Sequence, residues 1–167
     1  ELNDLVMQLF DEVILAAGNP EQIRPINQRF QVKNNSIEAI DPNLFHQQPA
    51  AIMEIFVLMA QDESIIGPRA ATIRLLREAE HDVDDAFRRD PQVNQYFMEL
   101  LRSPHKIATQ LLRMNRYGIL GRYLPEFGRI IGQMQHDLFH IYTVDAHTIQ
   151  VIKNMRLFLH EEFRERF

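Results

Sequence analysis

The chain is 167 residues long, 46% hydrophobic and 25% charged, and it has no cysteine. This excludes a disulfide framework and thiolate zinc or iron–sulfur sites, so metal chemistry would fall to His, Asp and Glu. The longest apolar run, residues 52–60, is interrupted by Glu54 and is too short to cross a bilayer, and no signal-peptide pattern is visible. A cytoplasmic protein with no membrane contact is expected.

The net charge is −5, unevenly distributed. Residues 1–65 carry three Lys/Arg against ten Asp/Glu, whereas residues 102–142 carry six against two. The basic residues of that second stretch are Arg102, Lys106, Arg113, Arg116, Arg122 and Arg129. They are too sparse for a nucleic-acid groove. A solvated face is the plain expectation, and a phosphate-bearing partner is the alternative.

In chain order, Leu2, Leu5, Val6, Leu9, Phe10, Val13 and Ile14 recur with a helical period. They predict a helix over 2–17, stopped by Gly18, Asn19 and Pro20. Two short runs over 30–40 flank Asn34-Asn35, a pair that tolerates the positive φ of a tight hairpin. A small β-hairpin is expected there, as the only β structure. Residues 49–61 read as a buried helix with Pro49 in its first turn, and residues 69–87 as an amphipathic helix. Asp90-Pro91 and Ser103-Pro104 each pair a capping residue with proline, launching helices over 91–101 and 104–117.

Gly118, Gly121, Pro125, Gly128 and Gly132 then break the chain into short turns. Tyr117, Leu120, Tyr123, Leu124, Phe127, Ile130 and Ile131 are spaced to pack inward there and to brace a last helix starting at Val144, with Thr143 or Asp145 as its cap. Because the chain opens and closes within amphipathic repeats, it is expected to be a piece of a longer protein. The predicted fold class is mostly α: a bundle-like region of seven or so helices with one small hairpin.

Neither a phosphate-binding P-loop nor a GxSxG motif is present. The dense cluster of chemical groups is QHDLFHIYTVDAHT, holding His136, Asp137, His140, Asp145 and His147. Imidazole and carboxylate suit Zn, Mn, Fe or Mg. His136 and His140 stand four apart, which puts them on one face of a helix, but two histidines do not close a metal shell. Core or surface histidines satisfied by backbone groups are the competing reading. The His136-Asp137 doublet suggests a metal-dependent phosphohydrolase of the HD type. It follows a glycine-rich turn, precedes Leu138 and Phe139, and has no well-placed earlier histidine, so it is read as a decoy.

The segment RYGILGRYLPEFGRIIGQMQHDLFHIYTVDAHT, residues 116–148, closely resembles a signature stretch of the bacterial bifunctional uridylyltransferase/uridylyl-removing enzyme family. Weaker resemblance runs through ELNDLVMQLFDE, RPINQRFQVKNNSIEAID and LFHQQPAAIMEIF. The family order is a nucleotidyltransferase domain, a connecting helical region, an HD hydrolase domain and two ACT domains. The resemblance implies that residues 1–115 are the connecting region and 116–167 the start of a truncated HD domain. It implies that His147 is the first metal ligand of the uridylyl-removing site, with Asp145 and His140 as possible supports. At His136 the family commonly has an aromatic residue.

For the full-length enzyme the family implies Mg or Mn, UTP, the PII signal protein and glutamine as cofactor and partners. UMP is transferred to PII when glutamine is low and removed when it is high. The Asp-x-Asp pair of the transferase and the His-Asp doublet of the hydrolase are not found in this chain. Hence no catalytic residue and no bound cofactor are expected in this piece, whose role would be structural. The rival expectation is a non-catalytic, all-α protein-interaction module.

Overall fold

A computed structural model describes residues 22–133 and 143–157; the helix expected over 2–17 lies outside them. Asn34 and Asn35 both take positive φ (51° and 63°), the backbone of a two-residue hairpin turn. They join β2 (Phe30–Lys33) to β3 (Ser36–Ala39), with Val32 opposite Ile37 and Phe30 opposite Ala39. Phe30, Val32 and Ile37 are buried, while Gln31, Lys33 and Glu38 are half-exposed. That is the alternation of a sheet with one face on the core.

The hairpin is not the only β structure. β1 (Ile23–Pro25) pairs antiparallel with β2, and β4 (Gly67–Pro68) pairs parallel with β3, giving a four-stranded sheet. These outer strands have three and two residues. Each contains a proline, so neither carries a strand pattern in sequence. They exist because the hairpin edges need partners: the N–H of Ile66 donates to Asn35 and that of Arg69 to Ile37.

After α1 (Leu44–Gln47), α2 (Ala51–Gln61) runs through the centre. Nine of its eleven residues are buried, so it is apolar nearly all round. Pro49 lies in the turn before this helix and not in its first turn; the helix starts two residues later. Burying side chains such as Ile52, Ile55 and Phe56 contributes about 1.5–3 kcal/mol each.

The single helix expected over 69–87 is broken. α3 (Ala70–Glu78) tightens into a 3₁₀ turn (Ala79–Asp82), and α4 (Asp85–Arg89) starts afresh. Asp84 is the cause, because its carboxylate accepts the N–H of Phe87 at 2.9 Å and caps the new helix. The start at Asp90-Pro91 is as expected: Asp90 Oδ1 accepts from Gln92 and Val93 at the head of α5 (Pro91–Arg102).

Ser103 is not a cap for the next helix. Its hydroxyl donates back to the Glu99 carbonyl, and α6 (Ile107–Arg116) begins only after Lys106, which takes φ 55°. Lys106 is held there by its own side chain, whose Nζ donates to the carbonyls of Glu63 (2.7 Å) and Ile65 (3.1 Å).

The glycine-rich window forms α7 (Ile119–Tyr123) and α8 (Pro125–Gly128). Tyr117, Leu120 and Tyr123 are buried as expected, and Leu124 and Phe127 pack on the core. Ile130 is only half-buried, and Ile131 is 42% exposed. Tyr123 stacks edge-on against Phe87 and Phe97, and its hydroxyl donates to Asn94 Oδ1 at 2.7 Å. Among the described residues there are nine α-helices, ending with α9 (Val144–Leu157), in place of the seven or so expected. The surplus comes from one-turn pieces such as α1, α7 and α8.

Gly121 and Gly128 meet backbone to backbone. A Cβ on Gly128 would stand 2.6 Å from the Gly121 carbonyl oxygen. Gly128→Ala is therefore expected to lower stability by about 1–3 kcal/mol, as overpacking against an immovable neighbour does. The urea midpoint checks it, and an unchanged midpoint would show that the α7–α8 crossing is loose.

Candidate functional site

α9 carries the described members of the sequence cluster, Asp145 and His147. Thr143 accepts the N–H of His147 at 2.9 Å, so the helix starts where the sequence suggested. Asp145 is buried and its carboxylate is fully engaged. Oδ2 accepts from Asn115 Nδ2 of α6 at 2.7 Å, and Oδ1 from the N–H of Gly132 at 3.2 Å. Gly132 takes φ 71°, a turn that glycine adopts without strain. The N–H of Val144 donates to the Gln133 carbonyl, closing the chain on either side of 134–142.

Burial acts to raise the Asp145 pKa. Hydrogen bonds from Thr143, Asn115, Gly132 and its own N–H outweigh burial and hold the carboxyl below its ordinary value. Asp145 is thus the point where the glycine window grips the last helix. Asp145→Ala leaves Asn115 and Gly132 without their acceptor and is expected to lower stability by about 1–3 kcal/mol. Asp145→Asn, which keeps one acceptor oxygen, should lose less; equal urea midpoints for the two variants would refute this reading.

His147 is exposed. Two residues along a helix is a rotation of about 200°, so Asp145 turns inward and His147 outward. His136, Asp137 and His140 lie outside the described residues. Among the described residues, no three His, Asp or Glu side chains gather into a metal-binding group. One imidazole does not hold a divalent ion, so Asp145 and His147, the described members of the cluster, do not form a metal centre by themselves.

The basic stretch takes a role that composition did not suggest. Lys106 binds the carbonyls described above, and Arg113 donates to the Ile66 carbonyl and to Gln110 Oε1. Arg122 pairs with Glu80 at 3.4 Å and meets His81 at 2.9 Å. These three side chains staple loops to helices, and sequence carries no signal for a carbonyl forty residues away.

An open cleft of about 490 Å³ lies between α1, the 3₁₀ turn and α4, lined in part by Arg29, His46, Asp82, Asp84, Phe87 and Asp90. Its charged groups have structural partners. Asp84 and Asp90 are helix caps, His46 pairs with Asp82, and Arg29 pairs with buried Glu54. No helix among the described residues is long and apolar enough to cross a membrane.

Residues 30–123 match the family described as the third domain of the uridylyltransferase GlnD. The chain belongs to this third-domain family. The match runs from β2 through α7, so it takes in β2–β4, α2 and the α5–α6 pair; β1 precedes it, and α8 and α9 follow it. Over all 167 residues the chain is 58% identical to the bifunctional uridylyltransferase/uridylyl-removing enzyme of Pseudomonas aeruginosa strain LESB58. It is 56% identical to the enzyme of the same name from Ectopseudomonas mendocina and 54% to that from Azotobacter vinelandii. It spans 19% of the length of each. No solved structure matches it.

Proposed function

We propose that this third-domain segment serves an enzyme that transfers UMP from UTP to the PII signal protein and hydrolyses it off again in response to glutamine. The observation that supports this is the 54–58% identity over all 167 residues to enzymes named for both activities. In this reading residues 1–115 are the helical connection and 116–167 open the hydrolase domain. The segment works in the cytoplasm, without nucleic acid or membrane contact, and its role is structural.

His147 contributes one imidazole to the uridylyl-removing site, with other ligands supplied from outside the described residues. A bound Mg or Mn supplies phosphate-charge neutralisation and an activated water. The outward direction of His147, on the face of α9 opposite buried Asp145 and Ile149, supports this role. His140 and Asp145 remain its proposed neighbours in sequence, with Asp145 supporting the helix from beneath.

The test uses the full-length protein and the 167-residue chain in parallel, with UTP, PII and glutamine. The full-length protein is expected to show both activities and the chain alone neither. Turnover by the purified chain, proportional to its concentration and surviving repurification, would contradict the structural role. Absence of both activities from the full-length protein would contradict the whole reading.

A further inference from the structure

At the corner between α5 and α6 the helix-end carbonyls are satisfied partly by Ser103 and partly from α9. Four C-terminal carbonyls of any α-helix lack intrahelical partners, and a following glycine often helps to satisfy them. α5 has no such glycine: Ser103 and Pro104 follow Arg102, and Ser103 itself donates its N–H to the Leu100 carbonyl and its hydroxyl to that of Glu99. Further donors come from α9. Arg156 Nη1 donates to the Leu101 carbonyl at 2.8 Å, and Nη2 to the Ser103 carbonyl at 2.6 Å. A planar guanidinium fork reaches two carbonyls at once, and its charge suits the negative end of the helix dipole.

Arg156 stands nine positions after His147 on the same helix. The other end of α9 is held by Asp145, gripped by Asn115 and Gly132, and between the two Ile149 is 1% exposed. Attachment at three heights along one helix fixes its rotation and its slide against α6. The outward direction of His147 is then set by groups that belong to the third-domain core.

We propose that Arg156 is a positioning residue for His147, locking α9 to the α5–α6 corner so that the third domain sets the pose of the uridylyl-removing site. The inference rests on the reading of His147 given above. The experiment compares Arg156→Gln, Arg156→Lys and His147→Ala in the full-length protein, measuring uridylyl removal, uridylyl transfer and amide hydrogen exchange over 144–157.

Arg156→Gln is expected to lower kcat of removal about 10–100-fold, the scale of a small misplacement imposed from a distance. Transfer should stay at its wild-type rate, and exchange in α9 should rise. Arg156→Lys, which keeps the charge but not the fork, should recover part of the removal rate. Unchanged removal in Arg156→Gln while His147→Ala abolishes it would overturn the positioning role alone. Equal loss of removal and transfer would reduce Arg156 to a folding contact and overturn it as well. Intact removal in His147→Ala would overturn the His147 reading, and this inference with it.

Discussion

His147→Ala in the full-length protein is expected to lower uridylyl removal by at least about 100-fold. Losing a residue that merely supports a metal ligand already costs about 10–100-fold. Transfer should be unaffected, because His147 is exposed and its loss leaves the packing of α9 through Ile149 and Asp145 in place. The two rates measured on one preparation check this. Removal at the wild-type rate would exclude the ligand role, and parallel loss of both rates would mean that the substitution disturbs the fold.

Arg29→Ala is expected to be the most damaging charge deletion, costing about 3 kcal/mol at neutral pH, as breaking a buried ion pair does. Glu54 lies on α2 amid apolar residues and is only 7% exposed. Arg29 Nε approaches Glu54 Oε2 at 3.1 Å, and Asn27 Nδ2 donates to Oε1 at 3.0 Å. Burial pushes the Glu54 pKa above its ordinary value, with Arg29 and Asn27 pulling against it.

The sign of the pH effect follows from that direction. A carboxyl whose folded pKa is raised favours the folded state when protonated, and that contribution is lost as pH rises through the folded pKa. Without Arg29 the pKa rises further and the charged form at neutral pH becomes costlier. The penalty of Arg29→Ala should therefore be largest at neutral pH and shrink as pH falls through the range above 4.5. Urea midpoints at neutral pH and at about pH 4 measure it. The double variant Arg29→Ala/Glu54→Gln should regain part of the loss at neutral pH. A penalty independent of pH would show that Arg29 acts through packing alone.

Interactions within a few residues were legible from the chain. The hairpin rests on Asn34-Asn35, the start of α5 on Asp90-Pro91, and the burial of Tyr117, Leu120 and Tyr123 on their spacing. Each depends on steric preference, a cap within three residues, or a local period. The resemblance over 116–148 likewise pointed to the family that residues 30–123 match.

The misreadings share a cause. Ser103-Pro104 carries the same local signal as Asp90-Pro91. At Ser103, however, the hydroxyl turns back to Glu99, while Lys106 anchors the chain to carbonyls more than forty residues away and delays the helix. The outer strands β1 and β4 form because β2 and β3 offer unpaired backbone groups, so their own residues need not favour a strand. The basic stretch was read by its charge, yet Lys106 and Arg113 donate to carbonyls, whose partial charges no count of ionisable residues includes.

The sequence by itself determined that the described residues are mostly helical, where the hairpin and the start of α5 lie and which family the chain resembles, because those properties follow from period, capping and residue identity along the chain. Tertiary structure alone decided that Asp145 faces inward to Asn115 and Gly132 while His147 faces out, and that Arg156 completes the end of α5. Such pairings form between residues brought together only when the helices pack. Donors and acceptors must find partners once water is excluded, and the partner's place in the sequence does not enter that requirement.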